Sequence, residues 1–340
     1  MLEFLDANPL TAFAGMFQDP RSRWFVLYLA TSLAIAYVLF RVQARRDPEL
    51  AEEGFFGFAF PKEIYGHASA KVDYWFYGLN KLLFAAVFAS TAVLASWTFA
   101  GAKAALAAVV DAPLLAGHPV AAAITTTIVY VLVFDFALWL AHYLFHRIPL
   151  LWEFHKVHHS AEVLTPFSAG RVHPIDDLVG YAMTGGFGGV IAALCDLVFG
   201  PEALVMSPLQ LHVVMLVFFM FGFHLRHSHV WLPYTGVLGK LFISPAHHQV
   251  HHSSAERHWD RNMGFIFAFW DWMFGTLHVP AKRQEQFALG IGGEEKEFNS
   301  VWRLYSLPFV KAWRRVARAR RRRARQAAVA PRPSPSPVEA

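Results

Sequence analysis

The chain has 340 residues, of which 55% are hydrophobic and 16% are charged, and it carries one cysteine and a formal net charge of +5. An ordinary soluble domain has about 25% charged residues, so this composition favours an integral membrane protein. Nine basic residues and no acid lie between Lys311 and Arg325, so the excess positive charge is confined to the C-terminal end and does not indicate nucleic-acid binding. The single Cys195 excludes an internal disulfide and a multi-thiolate metal site.

Five apolar runs predict helices that cross or enter a membrane. The first, Trp24–Phe40, is just long enough to span, and Arg41, Arg45 and Arg46 follow it directly. Because cytoplasmic loops are enriched in Lys and Arg, this loop is predicted to be cytoplasmic. The other runs are approximately Leu82–Phe99, Ala121–Tyr143, Leu178–Phe199 and Leu209–Phe223.

The last two runs predict a hairpin, since Gly200, Pro201 and Pro208 interrupt the chain between them. Whether this hairpin crosses the membrane or re-enters it, the chain returns to the side on which Ala121–Tyr143 ends. The predicted fold is therefore an all-α, multi-pass integral membrane protein. It has about four to five transmembrane or intramembrane helices and a helical cytoplasmic cap, with the active site and the C-terminus on the cytoplasmic side.

Three regions are predicted along the chain. Residues 1–120 form an N-terminal transmembrane region, residues 121–310 a histidine-rich region, and residues 311–340 a basic, Pro-rich tail that is disordered at its end. The basic segment is either in contact with anionic lipid or a solvated arginine helix.

Histidine is concentrated in one part of the chain, with 15 of the 18 histidines between His142 and His258. Residues at positions i, i+3 and i+4 share a face of a helix, so each short histidine block presents two or three imidazoles together. Neutral imidazole suits iron, zinc, copper and nickel, and eight such nitrogens exceed what one tetrahedral ion needs. The spacing therefore predicts two metal ions. The blocks are His142 and His146; His155, His158 and His159; and His248, His251 and His252.

Other histidine chemistries fit less well. The chain has no His-Glu-x-x-His metalloprotease motif and no Cys-x-x-Cys-His haem attachment motif. Two alternatives stay open, a membrane metal transporter and a bis-histidine haem electron carrier. The transporter predicts metal-binding groups deep within several spans, and the haem carrier leaves most of the cluster unexplained.

The histidine blocks and their surroundings resemble the membrane-bound fatty acid hydroxylase and sterol desaturase superfamily. This resemblance covers roughly Asp135 to Thr276. Where the family usually has His-Ser-Asn, this chain has His227-Ser228-His229. The matching segments are His-x3-His at His142, His-x2-His-His at His155 and His248, Leu151-Trp152-Glu153-Phe154-His155, Arg171-Val172-His173-Pro174, Asp260-Arg261-Asn262-Met263-Gly264 and Trp270-Asp271-Trp272-Met273-Phe274-Gly275-Thr276.

The resemblance implies that residues 121–310 are a catalytic domain holding two non-haem iron ions. It adds His227 to the eight block histidines as a ninth ligand. His173, His224 and His247 are further candidates for the metal site or its surroundings. Asp135, Asn262 and Asp271 are candidates for orienting ligand imidazoles through their other ring nitrogen.

The activity implied by the resemblance is the O₂-dependent hydroxylation or desaturation of a lipid in the membrane. Sterol, fatty acyl and related lipids are all compatible with it. Electrons must come from a separate ferredoxin, cytochrome or reductase, because the chain has no dinucleotide fingerprint and no cysteine framework for an iron–sulfur cluster. Trp139, Trp152, Phe167 and Phe187 are candidates for lining a lipid pocket.

Overall fold

The computed structural model describes residues 9–20, 22–107, 113, 115, 117–201 and 213–329. The predicted all-helical class is confirmed, since this part of the chain holds helices and two isolated bridges and no strand. Residues 213–220 are also helical. The α-helices are α1 (Pro9–Gln18), α2 (Val26–Ala44), α3 (Pro48–Ala59), α4 (Lys62–Tyr65), α5 (Ala68–Ala107), α6 (Pro119–Arg147), α7 (Pro149–His159), α8 (Pro174–Phe199), α9 (Gly236–Leu241), α10 (Pro245–His251), α11 (Phe269–Met273) and α12 (Val301–Val329).

Three of the described helices, α2, α6 and α8, are long and apolar enough to cross a membrane. They contain most of the first, third and fourth predicted runs and extend each by a few residues. The second predicted run, Leu82–Phe99, lies inside the 40-residue helix α5. The turn predicted around Pro208 lies outside the described residues, and so does most of the end that is predicted to be disordered from Ala327. Residues 327–329 are the last residues of α12.

Helix α8 packs along both α5 and α6 and so holds the membrane part together. Its contact with α5 requires a residue without a side chain at Gly189. A Cβ atom there would lie 2.4 Å from the Ala95 carbonyl oxygen and 2.1 Å from the Thr98 hydroxyl. The glycine-rich stretch of α8 therefore lets two backbones approach closely, as small residues do in membrane helix pairs.

A buried ion pair joins the first turns of α5 to the loop that follows α7. Arg171 Nη1 donates to Asp73 Oδ1 at 2.7 Å, and both side chains are almost completely buried. The same guanidinium donates to the carbonyls of Val157 and Phe298. Because Val157 lies within α7, this network fixes the helix that carries the second histidine block.

The C-terminal helix α12 packs one face on α7 and leaves the other exposed. Leu304 joins a core with Phe76, Val157 and Phe298. On the outer face, Trp302 is 75% exposed.

Candidate metal centre

The structure brings the nine histidines of the predicted site into two adjacent groups. Within each group, one ring nitrogen per residue lies within 4.8 Å of those of all the other members. The five-histidine group is His142, His146, His155, His159 and His251; the four-histidine group is His158, His227, His248 and His252.

Three helices supply the five-histidine group. The last turn of α6 ends at Ile148, and Pro149 begins α7 at once, so the first two histidine blocks lie beside each other. Helix α10 reaches the same place from the far end of the sequence, and the centroids of the His142 and His251 rings are 4.5 Å apart. Ser244 accepts a hydrogen bond from the His247 amide and so caps α10.

Two rings of the five-histidine group are anchored by backbone carbonyls. The Nδ1–H of His142 donates to the Met263 carbonyl at 2.8 Å, and that of His251 donates to the Arg261 carbonyl at 2.7 Å. These hydrogen bonds leave Nε2 of each ring as the nitrogen with a free lone pair.

Two further rings of this group are anchored by carboxylates. His155 Nδ1 lies 2.9 Å from Asp176 Oδ2, and His146 Nδ1 lies 3.2 Å from Asp260 Oδ1. Such carboxylate partners fix the tautomer and raise the basicity of a metal-ligating imidazole. Consistent with this, Nε2 of all five histidines is buried and has no hydrogen-bond partner among the described residues.

The four-histidine group is held differently. His227 ends a short 3-10 helix that follows Gly222, whose φ of 82° is in the left-handed region. The Nε2 atom of His227 lies 3.4 Å from that of His158 and 3.1 Å from that of His248. His252 Nε2 lies 3.2 Å from His248 Nε2. Nδ1 of His158, His248 and His252 is buried, and none of these atoms has a hydrogen-bond partner in the described part of the chain.

Burial keeps the imidazoles in the cap neutral. It lowers the pKa of His158 to about 3 and those of His159, His251 and His252 well below the usual value, with the neighbouring histidines adding to the effect. Neutral rings carry the lone pair that a metal ligand needs, so the lowered pKa values favour metal binding over protonation.

Asp135, Asn262 and Asp271 support the site through the backbone, whereas the prediction had them contacting ligand imidazoles. Asp271 accepts from the amides of Met263 and Gly264, and Asp135 accepts from the amide of Ile266. The side-chain nitrogen of Asn262, Nδ2, donates to the His247 carbonyl. Their described contacts therefore shape the 262–267 segment, whose Met263 carbonyl anchors His142.

His173, His224 and His247 lie outside both groups and make local hydrogen bonds. His173 caps α8 by accepting from the Ile175 amide. His224 Nε2 lies 2.6 Å from the Arg23 carbonyl oxygen, and His247 Nε2 lies 3.0 Å from the Gly239 carbonyl oxygen. These contacts account for the three side chains without a metal ion.

Asp176 and Asp260 are the partners that reasoning from sequence missed. Asp176 lies in the first turn of α8, 21 residues beyond the histidine that it contacts, and nothing in the local pattern signals that contact. Asp260 begins the predicted Asp260–Gly264 motif, which was the available signal. Its φ of 54° is left-handed, a conformation that Asp and Asn tolerate better than most residues.

A cavity of about 300 Å³ opens onto the five-histidine group. His146, His159 and His251 form part of its wall, and Trp152 and Trp259 lie beside them. Of the aromatic residues predicted to line a lipid pocket, Trp152 lies here. Trp139 is buried and donates to Asp271, whereas Phe167 packs on Trp24 and Phe187 on Phe136.

The site can hold two metal ions, one for each histidine group. Five converging lone pairs with no partner in the described protein suit a cation, and the other group offers four more imidazoles. An all-nitrogen donor set of this kind is compatible with iron, zinc, copper or nickel.

Comparison with known proteins agrees with this architecture. Residues 127–276 match the model of the family described as Fatty acid hydroxylase. No solved structure matches the chain.

Three of the curated relatives each match about half of the chain. An ornithine lipid hydroxylase of Rhizobium tropici is 32% identical over 160 residues, which is 47% of this chain and 44% of that protein. An alkylglycerol monooxygenase of Caenorhabditis elegans is 29% identical over 49% of this chain and 30% of its own length. A Delta(7)-sterol-C5(6)-desaturase of Nicotiana tabacum is 24% identical over 45% of this chain and 50% of its own length. The chain thus spans half or less of these relatives.

Proposed function

Because residues 127–276 match the fatty acid hydroxylase family and the matched relatives are lipid hydroxylases, monooxygenases and desaturases, we propose that the chain is a membrane-bound oxygenase that hydroxylates or desaturates a lipid. The observation that carries this proposal is the pair of buried histidine groups, whose nine members converge where the membrane helix α6 ends. Matched relatives are named for ornithine lipid, alkylglycerol and sterol, so the proposed substrate class is a lipid with an unactivated C–H bond.

The two histidine groups would hold two non-haem iron ions. When bound, these ions would supply the redox chemistry for O₂-dependent oxidation of the lipid. The protein's own contribution is to keep nine imidazoles neutral and to fix the tautomer of four of them through Met263, Arg261, Asp176 and Asp260. Burial also keeps bulk water away from the ligand atoms.

The position of the groups favours an oxygenase over a metal transporter. His142 and His146 lie in the last turns of α6, and the other seven members lie in α7, in α10 or in the short segments beside them. Among the described residues, no metal-binding group lies midway along a span, where a translocation path requires one.

The spacing of the ring nitrogens also counts against a bis-histidine haem carrier. Each pair of ring nitrogens has two or three further ring nitrogens within 4.8 Å of both, and these occupy the space that a porphyrin around the pair would need. An optical spectrum of the purified protein tests this alternative, since haem has intense visible bands that a histidine-ligated non-haem centre lacks.

Electrons would come from a separate ferredoxin, cytochrome or reductase that docks beside α12. A cavity of about 590 Å³ is lined there by Lys311, Arg314, Arg315, Arg318 and Arg322. It shares Lys156 and Glu294 with the cavity that reaches the five-histidine group, so an acidic donor docked here would stand next to the metal centre.

Reversing two charges tests the docking surface. In Arg318→Glu/Arg322→Glu we expect the rate of donor-dependent turnover to fall at low ionic strength, with turnover driven by a small chemical reductant unchanged. The matched control is Lys282→Glu/Arg283→Glu, since these exposed residues lie outside that cavity. An unchanged donor-dependent rate in the α12 variant would remove this surface from the proposal.

The active site and the C-terminus are proposed to face the cytoplasm, as the arginines that follow α2 suggest. A Cys195→Ala protein with one cysteine introduced at exposed Arg318 can be labelled in sealed vesicles by a membrane-impermeant maleimide. Labelling only in inside-out vesicles is the expected result, and labelling only in right-side-out vesicles would reverse the orientation.

Lipid profiling tests the activity itself. Cells that express the chain should accumulate a lipid that has gained one oxygen atom or lost two hydrogen atoms, and cells that express His251→Ala should not. His118→Ala is the matched control, because His118 is exposed and lies outside both groups. An identical lipid profile with and without the active chain, under O₂ and with a donor present, would contradict the proposal.

A further inference from the structure

We propose that His258, His278 and Glu285 bind a third metal ion, separate from the two histidine groups. Two imidazoles and one carboxylate from three loop positions meet here, and one ligand atom of each lies within 4.8 Å of the others. The zinc ion is the best match for a site of two nitrogens and one oxygen with an open position. This proposal stands independently of the proposed oxygenase activity.

The geometry is that of a preformed ligand set. Glu285 contacts both rings with its two oxygens: Oε1 lies 3.2 Å from His278 Nε2, and Oε2 lies 3.3 Å from His258 Nε2. The two ring centroids are 4.9 Å apart. The two nitrogen–oxygen separations are close to the edge, about 3.4 Å, of a tetrahedron whose metal–nitrogen and metal–oxygen bonds are about 2.0–2.2 Å.

His258 occupies a position that hydrogen bonds alone do not satisfy. Its side chain is fully buried, and its Nδ1 has no hydrogen-bond partner among the described residues. Its Nε2 faces the Glu285 carboxylate, which only accepts, and also Arg257 Nε at 3.1 Å, which only donates. A neutral imidazole nitrogen cannot donate to the one and accept from the other.

A cation resolves this conflict. Placed between His258 Nε2 and Glu285 Oε2, it would use the lone pair of the first and the charge of the second. The Arg257 side chain is 59% exposed, so it can turn towards solvent when the ion takes its place.

The site joins two loops that support the five-histidine group. His258 belongs to the segment that leads to Arg261, whose carbonyl anchors His251. Asn262 follows Arg261 in the chain, and its side-chain oxygen accepts a hydrogen bond from the backbone N–H of His278. A metal ion at Glu285 would therefore restrain the loop that orients the catalytic ligands while remaining outside the catalytic centre.

Metal counting tests the proposal on the untagged, full-length protein in nanodiscs. After incubation with excess ZnCl₂ and desalting, we expect the wild-type chain to retain one more zinc ion than Glu285→Gln. The control Glu256→Gln alters an exposed carboxylate two residues before His258 and should keep the wild-type count. An equal zinc count in Glu285→Gln and the wild-type protein would overturn the third site and leave the two histidine groups untouched.

A second measurement decides the matter if Glu285→Gln fails to fold. Zinc-loaded wild-type protein should show density for an ion between His258, His278 and Glu285 in a cryo-electron microscopy map. A map that resolves these three side chains in direct hydrogen-bond contact, with ions only at the histidine groups, would overturn the proposal.

Discussion

The two histidine groups have similar burial and similar ligands, yet the protein holds them in different ways. Four of the five rings in the larger group are anchored at Nδ1 by a carbonyl or a carboxylate. In the smaller group, Nδ1 of His158, His248 and His252 is buried without a partner in the described residues. Protein contacts thus orient the first group in advance, whereas the orientation of the second group would depend more on a bound ion.

This difference has a thermodynamic consequence. Outer partners of a metal-ligating histidine typically contribute about 10-fold to 100-fold in metal affinity or activity. The five-histidine group should therefore bind its ion more tightly and the four-histidine group should exchange its ion more readily. The following predictions test this comparison, from the largest expected effect to the smallest.

Removal of one ligand from either group should have the largest effect. His251→Ala and His158→Ala should each lower turnover by more than about 100-fold, because loss of a direct ligand exceeds the effect of losing an outer partner. Each variant should also retain one iron fewer than the wild-type chain. Mass spectrometry of the lipid product and elemental analysis check both values, and full turnover in either variant would contradict the two-metal assignment.

Removal of an outer carboxylate should weaken only the five-histidine group. Asp176→Asn and Asp260→Asn preserve the size of the side chain, and Asn tolerates the left-handed backbone of residue 260. We expect the affinity of that group for iron to fall by about 10-fold to 100-fold. Chelator titration measures this, with the ion of the four-histidine group as the internal control; an equal loss from both groups would indicate general destabilisation.

The two groups can also be compared one at a time. His248→Ala retains the five-histidine group, and His251→Ala retains the four-histidine group. The ion left in His248→Ala should resist a higher chelator concentration, by about 10-fold, because its ligands are oriented in advance. Both variants keep the cluster at Glu285, so that site contributes equally. The opposite order of affinities would show that the outer hydrogen bonds do not control metal retention.

The smallest effect concerns the metal-free protein at acidic pH. Burial lowers the pKa values of His155, His159 and His252 well below the usual 6.5, which the unfolded chain retains. Below pH 6.5 the unfolded state therefore binds more protons, and the free energy of unfolding falls. Thermal unfolding after chelator treatment should give a Tm that decreases as the pH falls below 6.5. A Tm that rises as the pH falls would contradict the sign of these shifts.

Much of the fold could be predicted because apolar length is a local property. The runs Trp24–Phe40 and Ala121–Tyr143 predicted α2 and α6 to within a few residues at most ends. The prediction for α5 was incomplete, since the helix begins at Ala68, well before the apolar run that starts at Leu82. The first half of α5 packs around Phe76 and the Asp73–Arg171 ion pair. These are tertiary contacts, which a local apolar pattern does not predict.

The candidate metal centre could likewise be predicted from the sequence only in part. Histidine spacing along a helix determines which imidazoles share a face, so the nine group members could be identified from their blocks and from the resemblance that these blocks carry. Their division into five and four could not be read from the sequence, because His158 and His159 are neighbours that belong to different groups.

The sequence by itself determined the class of the protein, its apolar helices and the residues that gather at its metal centre. Only the tertiary structure decided which histidines form each group, which ring nitrogens are anchored, and that His258, His278 and Glu285 meet. The physical reason is the distance along the chain over which each effect acts. Helical periodicity acts over a few residues of one helix. The contacts from His142 to Met263 and from His155 to Asp176 exist only after distant segments have packed together.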